Sequence, residues 1–280
     1  MSDKREESER VCGGASSMHD DLICCVEYLA EERCGEDAAE KMLAGVRGDA
    51  DRLFSLYRDL VNVREPRPMP KDVLAAQDRM LRRRIADAGV TDAGALPRTP
   101  LDERISVWRG DITTLAVDAI VNAANSQMLG CWVPGHYCID NAIHTFSGIQ
   151  LRAECARVMR EQGHAEPTGM AKVTPAYNLP SKWVIHTVGP IANGTATEVD
   201  SRLLACSYRS CLDAAKEIGA KSIAFCCIST GVFGFPQHDA AKIAVQTVRD
   251  WLDRNAGDIH VIFNVFGQKD EGIYHELLFG

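Results

Sequence analysis

The chain has 280 residues, of which 46% are hydrophobic and 25% charged, and its net charge at pH 7 is −8. This composition is that of a globular protein, and the acidic balance argues against extended binding to a nucleic-acid backbone, which needs clustered lysine and arginine. No apolar run approaches the ~20 residues that cross a bilayer, and the charged first ten residues lack the apolar core of a signal peptide. We therefore expect a cytoplasmic protein that binds neither nucleic acid nor membrane.

Residues 1–100 are predicted to form a small α-helical extension. Residues 1–18 are charged and then rich in glycine and serine, which predicts disorder. Apolar side chains recur at helical spacing over residues 19–63, and Asp72 is predicted to cap a helix that ends near Ala88. Residues 89–102 contain two prolines and are predicted to be a linker. This segment offers no catalytic constellation.

Residues 101–280 alternate between short apolar runs and helical patterns. The predicted strands are residues 105–108, 119–121, 171–174, 183–188, 222–228 and 259–265. The predicted helices are residues 140–160, 200–218, 239–252 and 271–278. Such alternation predicts an α/β domain with a largely parallel sheet covered by helices. Ligands in such domains bind beyond the carboxyl ends of the strands, so the loops that follow the strands are the candidate sites.

The loop at residues 229–236 follows one predicted strand and precedes a helix. Its two glycines allow backbone N–H groups to approach a phosphate, and the helix N-terminus adds a favourable dipole. Phe233 and Phe235 could stack on a sugar or base. The alternative is a tight strand–helix connection that uses glycine for geometry alone.

Asp111 follows another predicted strand. It could cap a turn beside Thr113 and Thr114, or it could accept a hydrogen bond from an exocyclic amine such as that of adenine.

Three potential metal ligands, Cys131, His136 and Cys138, lie within eight residues of each other. Thiolate and imidazole are good zinc ligands, and this loop supplies no fourth cysteine or histidine before His144, which lies on the predicted helix. An open zinc site of the catalytic kind is favoured over coincidence in a cysteine-rich chain. Asp140 either orients a water beside the metal, caps the helix, or does both. The single histidines His144, His186 and His238 are expected to be structural.

The second domain resembles a macrodomain, the ADP-ribose-binding fold, and is most similar to the MacroD branch. The matching segments are residues 110–113, 121–125, 168–174, 184–190 and 228–236. MacroD proteins carry a run of glycines and Val-Asp-Gly where this chain has residues 130–141. In that respect, and in its helical N-terminal extension, the chain is similar to the zinc-containing macrodomains. The resemblance implies a three-layer fold with a mixed, largely parallel sheet over residues 101–280.

The resemblance also assigns roles to residues of the site. Cys131, His136 and Cys138 would hold Zn²⁺, and Asp140 would take the place of the catalytic aspartate, assisted by Asn125. Asp111 would meet the adenine amine and Ile112 an adjacent backbone contact. The remaining residues expected to line the ADP-ribose site are Asn122, Asn125, Cys138, Ile139, Asp140, Ser229, Thr230, Gly231, Val232, Phe233 and Phe266.

The leading functional hypothesis is a zinc-dependent hydrolase that removes mono-ADP-ribose from modified proteins by cleaving the bond to the distal ribose. Zinc would bind either a water or the distal ribose, and Asp140 would position the attacking water. Two alternatives remain open at this point. The pocket could read ADP-ribose without turning it over, or it could hydrolyse the small ester O-acetyl-ADP-ribose. The sequence leaves the modified protein and the oligomeric state undetermined.

Overall fold

A computed structural model describes residues 16–255 and 257–280. They divide into two compact units, one formed by residues 16–84 with residues 133–135, the other by residues 85–132 and 136–280. Residues 1–15, most of the segment predicted to be disordered, lie outside the described residues. The remainder of that prediction is wrong, because Ser17 caps the first helix through a capping box with Asp20.

The first unit is helical. Its helices are α1 (Met18–Cys34), α2 (Glu36–Leu43), α3 (Ala50–Asn62) and the greater part of α4 (Lys71–Ala88). The helix predicted to start after Asp72 begins two residues earlier, at Lys71, because the carbonyl of Pro70 already accepts from the backbone of Leu74. Asp72 therefore lies in the first turn of α4 rather than at its cap.

The predicted linker at residues 89–102 is partly ordered structure of the second unit. Strand β1 (Thr91–Asp92) pairs in parallel with β3 (Leu115–Ala116), and Ala93–Ala95 forms a 3₁₀ turn. Ile85, near the end of α4, is buried in the core of this unit. The compact units thus meet in sequence at residues 84–85, whereas the sequence placed the domain boundary at residues 100–101.

Six strands form the main sheet in the part of the chain that the structure describes. They are β2 (Ile105–Arg109), β4 (Ala119–Ala123), β5 (Ala171–Pro175), β6 (Trp183–Thr187), β7 (Ser222–Phe225) and β8 (His260–Val265). Their order is β2-β8-β7-β4-β6-β5, and every neighbouring pair is parallel except β5 with β6. The predicted α/β class with a mixed, largely parallel sheet is confirmed.

Helices cover both faces of this sheet. They are α5 (Ile139–Ser147), α6 (Ile149–Gln162), α7 (Glu198–Glu217), α8 (Gln237–Arg254) and α9 (Gln268–Phe279). Successive side chains of a strand point to opposite faces. In β6, His186 approaches Cys155 of α6, whereas its neighbour Thr187 lies near Cys211 of α7. The expected three layers follow from this alternation.

The single helix predicted over residues 140–160 is instead two helices. The chain breaks at Gly148, whose φ of 94° lies in the left-handed region that side chains rarely adopt. Periodicity alone does not reveal this break, because the apolar pattern continues on both sides of it. Within residues 16–255 and 257–280, no helix combines the length and the apolar character that spanning a bilayer requires.

Candidate active site

The candidate site lies where parallel strands end. Because β2, β4, β7 and β8 run in parallel, the loops after them leave the same edge of the sheet. These loops carry Asp111, Asn125 with the Cys/His cluster, residues 229–236 and Phe266. The edge predicted from the sequence to bind a ligand therefore collects the predicted site residues of the second unit.

Asp140 is a buried carboxyl group in the first turn of α5. Only 6% of the residue is exposed, and its Oδ1 accepts a hydrogen bond from Nδ2 of Asn122 at 2.8 Å. Burial raises the pKa of Asp140 to about 6, while the Asn122 hydrogen bond and the positive charge of Arg152 act in the opposite direction. A carboxyl group buried at a helix N-terminus and held by an amide is a typical candidate for proton transfer.

Cys138, rather than Asp140, is the N-cap of α5. Its Sγ accepts from the backbone N–H of Asn141 at 3.4 Å, a position that a thiolate fills better than a thiol because the helix N-terminus favours negative charge. Burial raises the pKa of this thiol to about 12. Its ionised form therefore needs a neighbouring cation. Ile139, half-buried, begins the helix between Cys138 and Asp140.

The three predicted zinc ligands converge. The ligand atoms of Cys131, His136 and Cys138 all lie within 4.8 Å of one another, and all three residues are half-buried. Sγ of Cys131 is 3.4 Å from Nδ1 of His136. Sulfur and imidazole ligands at about 2.3 and 2.0 Å from a tetrahedral zinc ion are about 3.5 Å apart. The donor set and its spacing therefore fit one zinc ion.

Two further side chains hold this metal loop, residues 131–138, in place. Asn125 donates from Nδ2 to the carbonyl of Gly130 at 3.1 Å and accepts at Oδ1 from the backbone of Gln127 at 3.0 Å. Arg152 of α6 stacks over the ring of Trp132 at 4.2 Å and reaches the carbonyl of Cys131 at 3.4 Å. Asn125 thus shapes the entry to the loop, and Arg152 contacts the backbone of Cys131, the first of the three predicted zinc ligands.

The loop after β7 is preorganised to receive an anion. Ser229 has a φ of 66°, uncommon for a residue with a side chain, and its buried Oγ has no hydrogen-bond partner among the described residues. Thr230 secures the turn by donating from Oγ1 to the carbonyl of Cys227 at 2.9 Å. The chain then turns back where Gly234 donates to the carbonyl of Gly231 at 2.9 Å.

Three successive backbone N–H groups of this loop have no hydrogen-bond acceptor among the described residues. They belong to Gly231, Val232 and Phe233. Consecutive free N–H groups form a concavity that binds phosphate oxygens. Val232 is 76% exposed, and Phe233 is half-buried with its carbonyl accepting from Ala192. The loop is therefore open to a ligand while its backbone is fixed.

Asp111, Ile112 and Phe266 lie at the ends of β2 and β8. Asp111 caps the 3₁₀ turn Ile112–Thr114, since its Oδ1 accepts from both the backbone and the hydroxyl of Thr113 at 2.9 and 2.7 Å. The side chain is exposed, and Oδ2 carries no hydrogen bond in the part of the chain that the structure describes. Ile112 is buried, so only its backbone could meet a ligand. Phe266 is 82% exposed, as a stacking surface requires.

Asn122, predicted from the sequence to line the ADP-ribose site, is instead fully buried beneath Asp140. The two histidines of this neighbourhood were predicted to be structural and not to belong to the site. Nδ2 of Asn122 is also 3.1 Å from Nδ1 of His186, and Nε2 of His144 is 3.6 Å from Oδ1 of Asp140. Burial lowers the pKa of His186 to about 3 and that of His144 well below its usual value, so both rings are neutral. A histidine and an asparagine inside two buried apolar runs were the available signal, because a buried polar side chain requires a partner.

Comparison with known proteins identifies the family. Residues 121–244 match the Macro domain family. A protein-ADP-ribose hydrolase of Treponema medium is 53% identical over 260 residues, which cover 91% of this chain and 97% of that protein. A protein-ADP-ribose hydrolase of Staphylococcus aureus (strain MRSA252) is 50% identical over 252 residues, with coverage of 90% and 94%.

Two solved structures share the fold of the second unit. The Oceanobacillus iheyensis macrodomain with ADP has 39% identity and a TM-score of 0.56, covering 61% of this chain and 88% of its own. The Trypanosoma brucei macrodomain in complex with ADP-ribose has 30% identity and a TM-score of 0.60, with coverage of 79% and 94%. Because these relatives match almost the full length of the chain and the solved structures share its fold, this chain belongs to the macrodomain family and to its branch of protein-ADP-ribose hydrolases.

Proposed function

We propose that this chain is a zinc-dependent hydrolase that removes mono-ADP-ribose from modified proteins by cleaving the bond to the distal ribose. The observation that carries the proposal is the convergence of Cys131, His136 and Cys138 within 4.8 Å, directly before the helix turn that holds the buried Asp140. A soft three-ligand site next to a carboxyl group is the arrangement of a hydrolytic metal centre.

Zinc supplies, when bound, the Lewis acidity that polarises an oxygen of the substrate or lowers the pKa of water. Three protein ligands leave one position of a tetrahedral ion open, as in catalytic rather than structural zinc sites. Structural zinc normally has four protein ligands, and within residues 16–255 and 257–280 no fourth cysteine, histidine or carboxylate joins the cluster. The donor set therefore favours a metal that takes part in the reaction.

Asp140 is the proposed catalytic residue. Its carboxylate can accept a proton from the attacking water, and the Asn122 amide holds Oδ1 so that Oδ2 can face the substrate. Asn125 shapes the backbone between strand β4 and the metal loop through Gly130, and it remains the candidate for direct contact with the distal ribose.

The rest of the substrate is held by the loops at the same sheet edge. The free N–H groups of residues 231–233 would bind the diphosphate. Oδ2 of Asp111 would accept from the adenine amine, and Phe266 would stack on the base. Contacts at both ends of the long substrate would hold the scissile bond beside Asp140. Part of the binding energy is then used to orient the reacting groups.

The test measures release of ADP-ribose from a mono-ADP-ribosylated protein and, in parallel, hydrolysis of O-acetyl-ADP-ribose. The proposal predicts release of ADP-ribose from the protein. Binding of ADP-ribose without release would support a reader instead, and turnover of the small ester alone would support a deacetylase.

The metal is tested by Cys131→Ser, with Cys34→Ser as the matched control. Cys131→Ser replaces a thiolate ligand by a poor one and should lower both zinc content and turnover. Cys34 is exposed on α1 and belongs to no cluster of potential ligands among the described residues, so its replacement should alter neither. Equal zinc content in the two variants would contradict the assigned ligands.

A further inference from the structure

A line of buried polar side chains crosses three strands beneath Asp140. Asn122 of β4 is the direct register partner of His186 in β6, and Thr174 of β5 lies diagonally across from His186. All of these residues are buried, with the exposure of Asn122 and His186 at 0%. Neighbouring side chains on one face of a sheet are close enough to hydrogen-bond, so the strand register itself assembles this line.

The donor and the acceptor of the hydrogen bonds that Asn122 and His186 make along the line can be assigned. Nδ2 of Asn122 lies 2.8 Å from Oδ1 of Asp140 and 3.1 Å from Nδ1 of His186. An amide nitrogen has two hydrogens and accepts nothing, so it donates to both groups. Nδ1 of His186 must then carry the lone pair and Nε2 the hydrogen. Nε2 lies 3.0 Å from Oγ1 of Thr174, with Sγ of Cys155 at 3.8 Å.

We infer that His186 is a positioning residue for the reaction: by accepting from Asn122, it keeps the nitrogen rather than the oxygen of that amide turned toward Asp140. With the amide reversed, an oxygen would face the carboxylate and repel it, and Asp140 would lose the one side-chain amide donor that it has among the described residues. The inference rests on the proposed function, because it assigns His186 a role through the Asp140 of that site.

A metal ion is a weaker explanation of the same neighbourhood. The ligand atoms of His144, Cys155 and His186 also lie within 4.8 Å of each other. Both ring nitrogens of His186, however, already have hydrogen-bond partners in Asn122 and Thr174. A cation bound at Nε2 would have to displace the threonine. The hydrogen-bonded line needs no such rearrangement.

Activity measurements on two variants test the inference. His186→Leu removes the acceptor and should lower kcat by about 10- to 100-fold, the usual effect of losing a group that orients a catalytic residue. KM should change by less than about threefold, because the ring does not meet the substrate. His186→Asn places an oxygen acceptor near the position of Nδ1, and it should restore most of kcat. Unchanged kcat in His186→Leu would overturn the inference.

His260→Leu is the matched control. His260 is also a buried strand histidine that meets a hydroxyl, with Nε2 2.8 Å from Oγ of Ser106, and it does not belong to the line beneath Asp140. Its replacement should lower stability while leaving kcat unchanged. An equal fall in kcat in both leucine variants would show a general structural effect and overturn the specific role of His186.

The tautomer of His186 gives a readout that requires no activity. In ¹⁵N NMR spectra of the folded wild-type protein at neutral pH, Nδ1 should give the signal of an unprotonated nitrogen and Nε2 that of a protonated one. A protonated Nδ1 would mean that the amide is reversed and would overturn the inference, even if His186→Leu fails to fold. Absence of hydrolase activity in the wild type would instead contradict the proposed function, while the tautomer would remain a separate result.

Discussion

At the scale of single residues, replacing Asp140 distinguishes an enzyme from a module that only binds ADP-ribose. Asp140→Ala removes the buried carboxylate that we propose as the general base, so turnover should fall by about 10²- to 10⁴-fold. ADP-ribose affinity should stay within about tenfold, which corresponds to about 1.4 kcal/mol. Steady-state kinetics and calorimetric titration measure the two effects. Equal losses of turnover and affinity would assign Asp140 to ligand binding.

The sequence indicated Asp140 and the candidate metal ligands, but it assigned Asn122 to ligand contact and did not connect His186 with Asp140. Cys131, His136 and Cys138 lie within one short loop, so their spacing alone indicated that they could converge. The contact between Asn122 and His186 joins residues 64 positions apart and depends on the register of β4 with β6. A single sequence does not determine register, and His186 was therefore predicted to be structural only.

At the scale of elements, the loop after β7, residues 229–236, depends on a close approach by Gly189. A Cβ at this position would lie 2.1 Å from Oγ of Ser229, whose positive φ already shapes the loop. Gly189→Ala must therefore displace Ser229, and we expect ADP-ribose affinity to fall by at least about tenfold, or about 1.4 kcal/mol. Gly272→Ala is the control, since a Cβ there meets nothing within 4 Å. Wild-type affinity in Gly189→Ala would contradict this account of the loop.

The stacking of Arg152 on Trp132 stabilises the loop at residues 131–138, which carries the three candidate zinc ligands. Trp132→Ala removes this contact beside Cys131 without touching a ligand atom. Loss of an outer contact typically weakens a metal site by about 10- to 100-fold. Competition with a chromophoric chelator would measure the change in zinc affinity. Wild-type zinc affinity in this variant would show that the ligands hold the loop unaided.

Most elements could be predicted because their apolar periodicity is local. The predicted helix boundaries were wrong where a single residue ends a helix. Gly148, for example, divides one periodic stretch into α5 and α6. The short strands β1 and β3 were missed for a different reason. Each contains only two residues and is a strand only because it pairs with the other. The local apolar pattern carries no information about such a pairing.

At the scale of the whole molecule, the helical unit contains an ion pair between the buried Arg64 and the half-buried Glu32. Nε and Nη2 of Arg64 donate to the two carboxylate oxygens of Glu32 at 2.7 and 2.9 Å, and the guanidinium also meets the carbonyls of Arg67 and Pro68. Arg64→Ala would leave the carboxylate largely buried without this partner. The carboxylate keeps the Tyr28 hydroxyl and Arg67 as partners. We therefore expect the free energy of unfolding to fall by roughly 1.5–3 kcal/mol, the usual contribution of hydrogen bonds to a charged group.

Urea denaturation followed by circular dichroism would measure this change. Asp51→Ala is the control within the same unit, because Asp51 is 92% exposed and its contact with Arg84 is 3.5 Å long. An exposed pair contributes little, so this variant should unfold close to the wild type. Equal destabilisation by both substitutions would contradict the importance of burial at Arg64.

Zinc dependence is the central claim, and removal and return of the metal test it most directly. Purified protein should contain about one zinc per chain, lose ADP-ribose release after chelation, and regain it when zinc is added back. ADP-ribose binding to the metal-free protein, measured in parallel, shows whether the rest of the site stays intact. Full release of ADP-ribose from a modified protein by completely zinc-free enzyme would contradict the account.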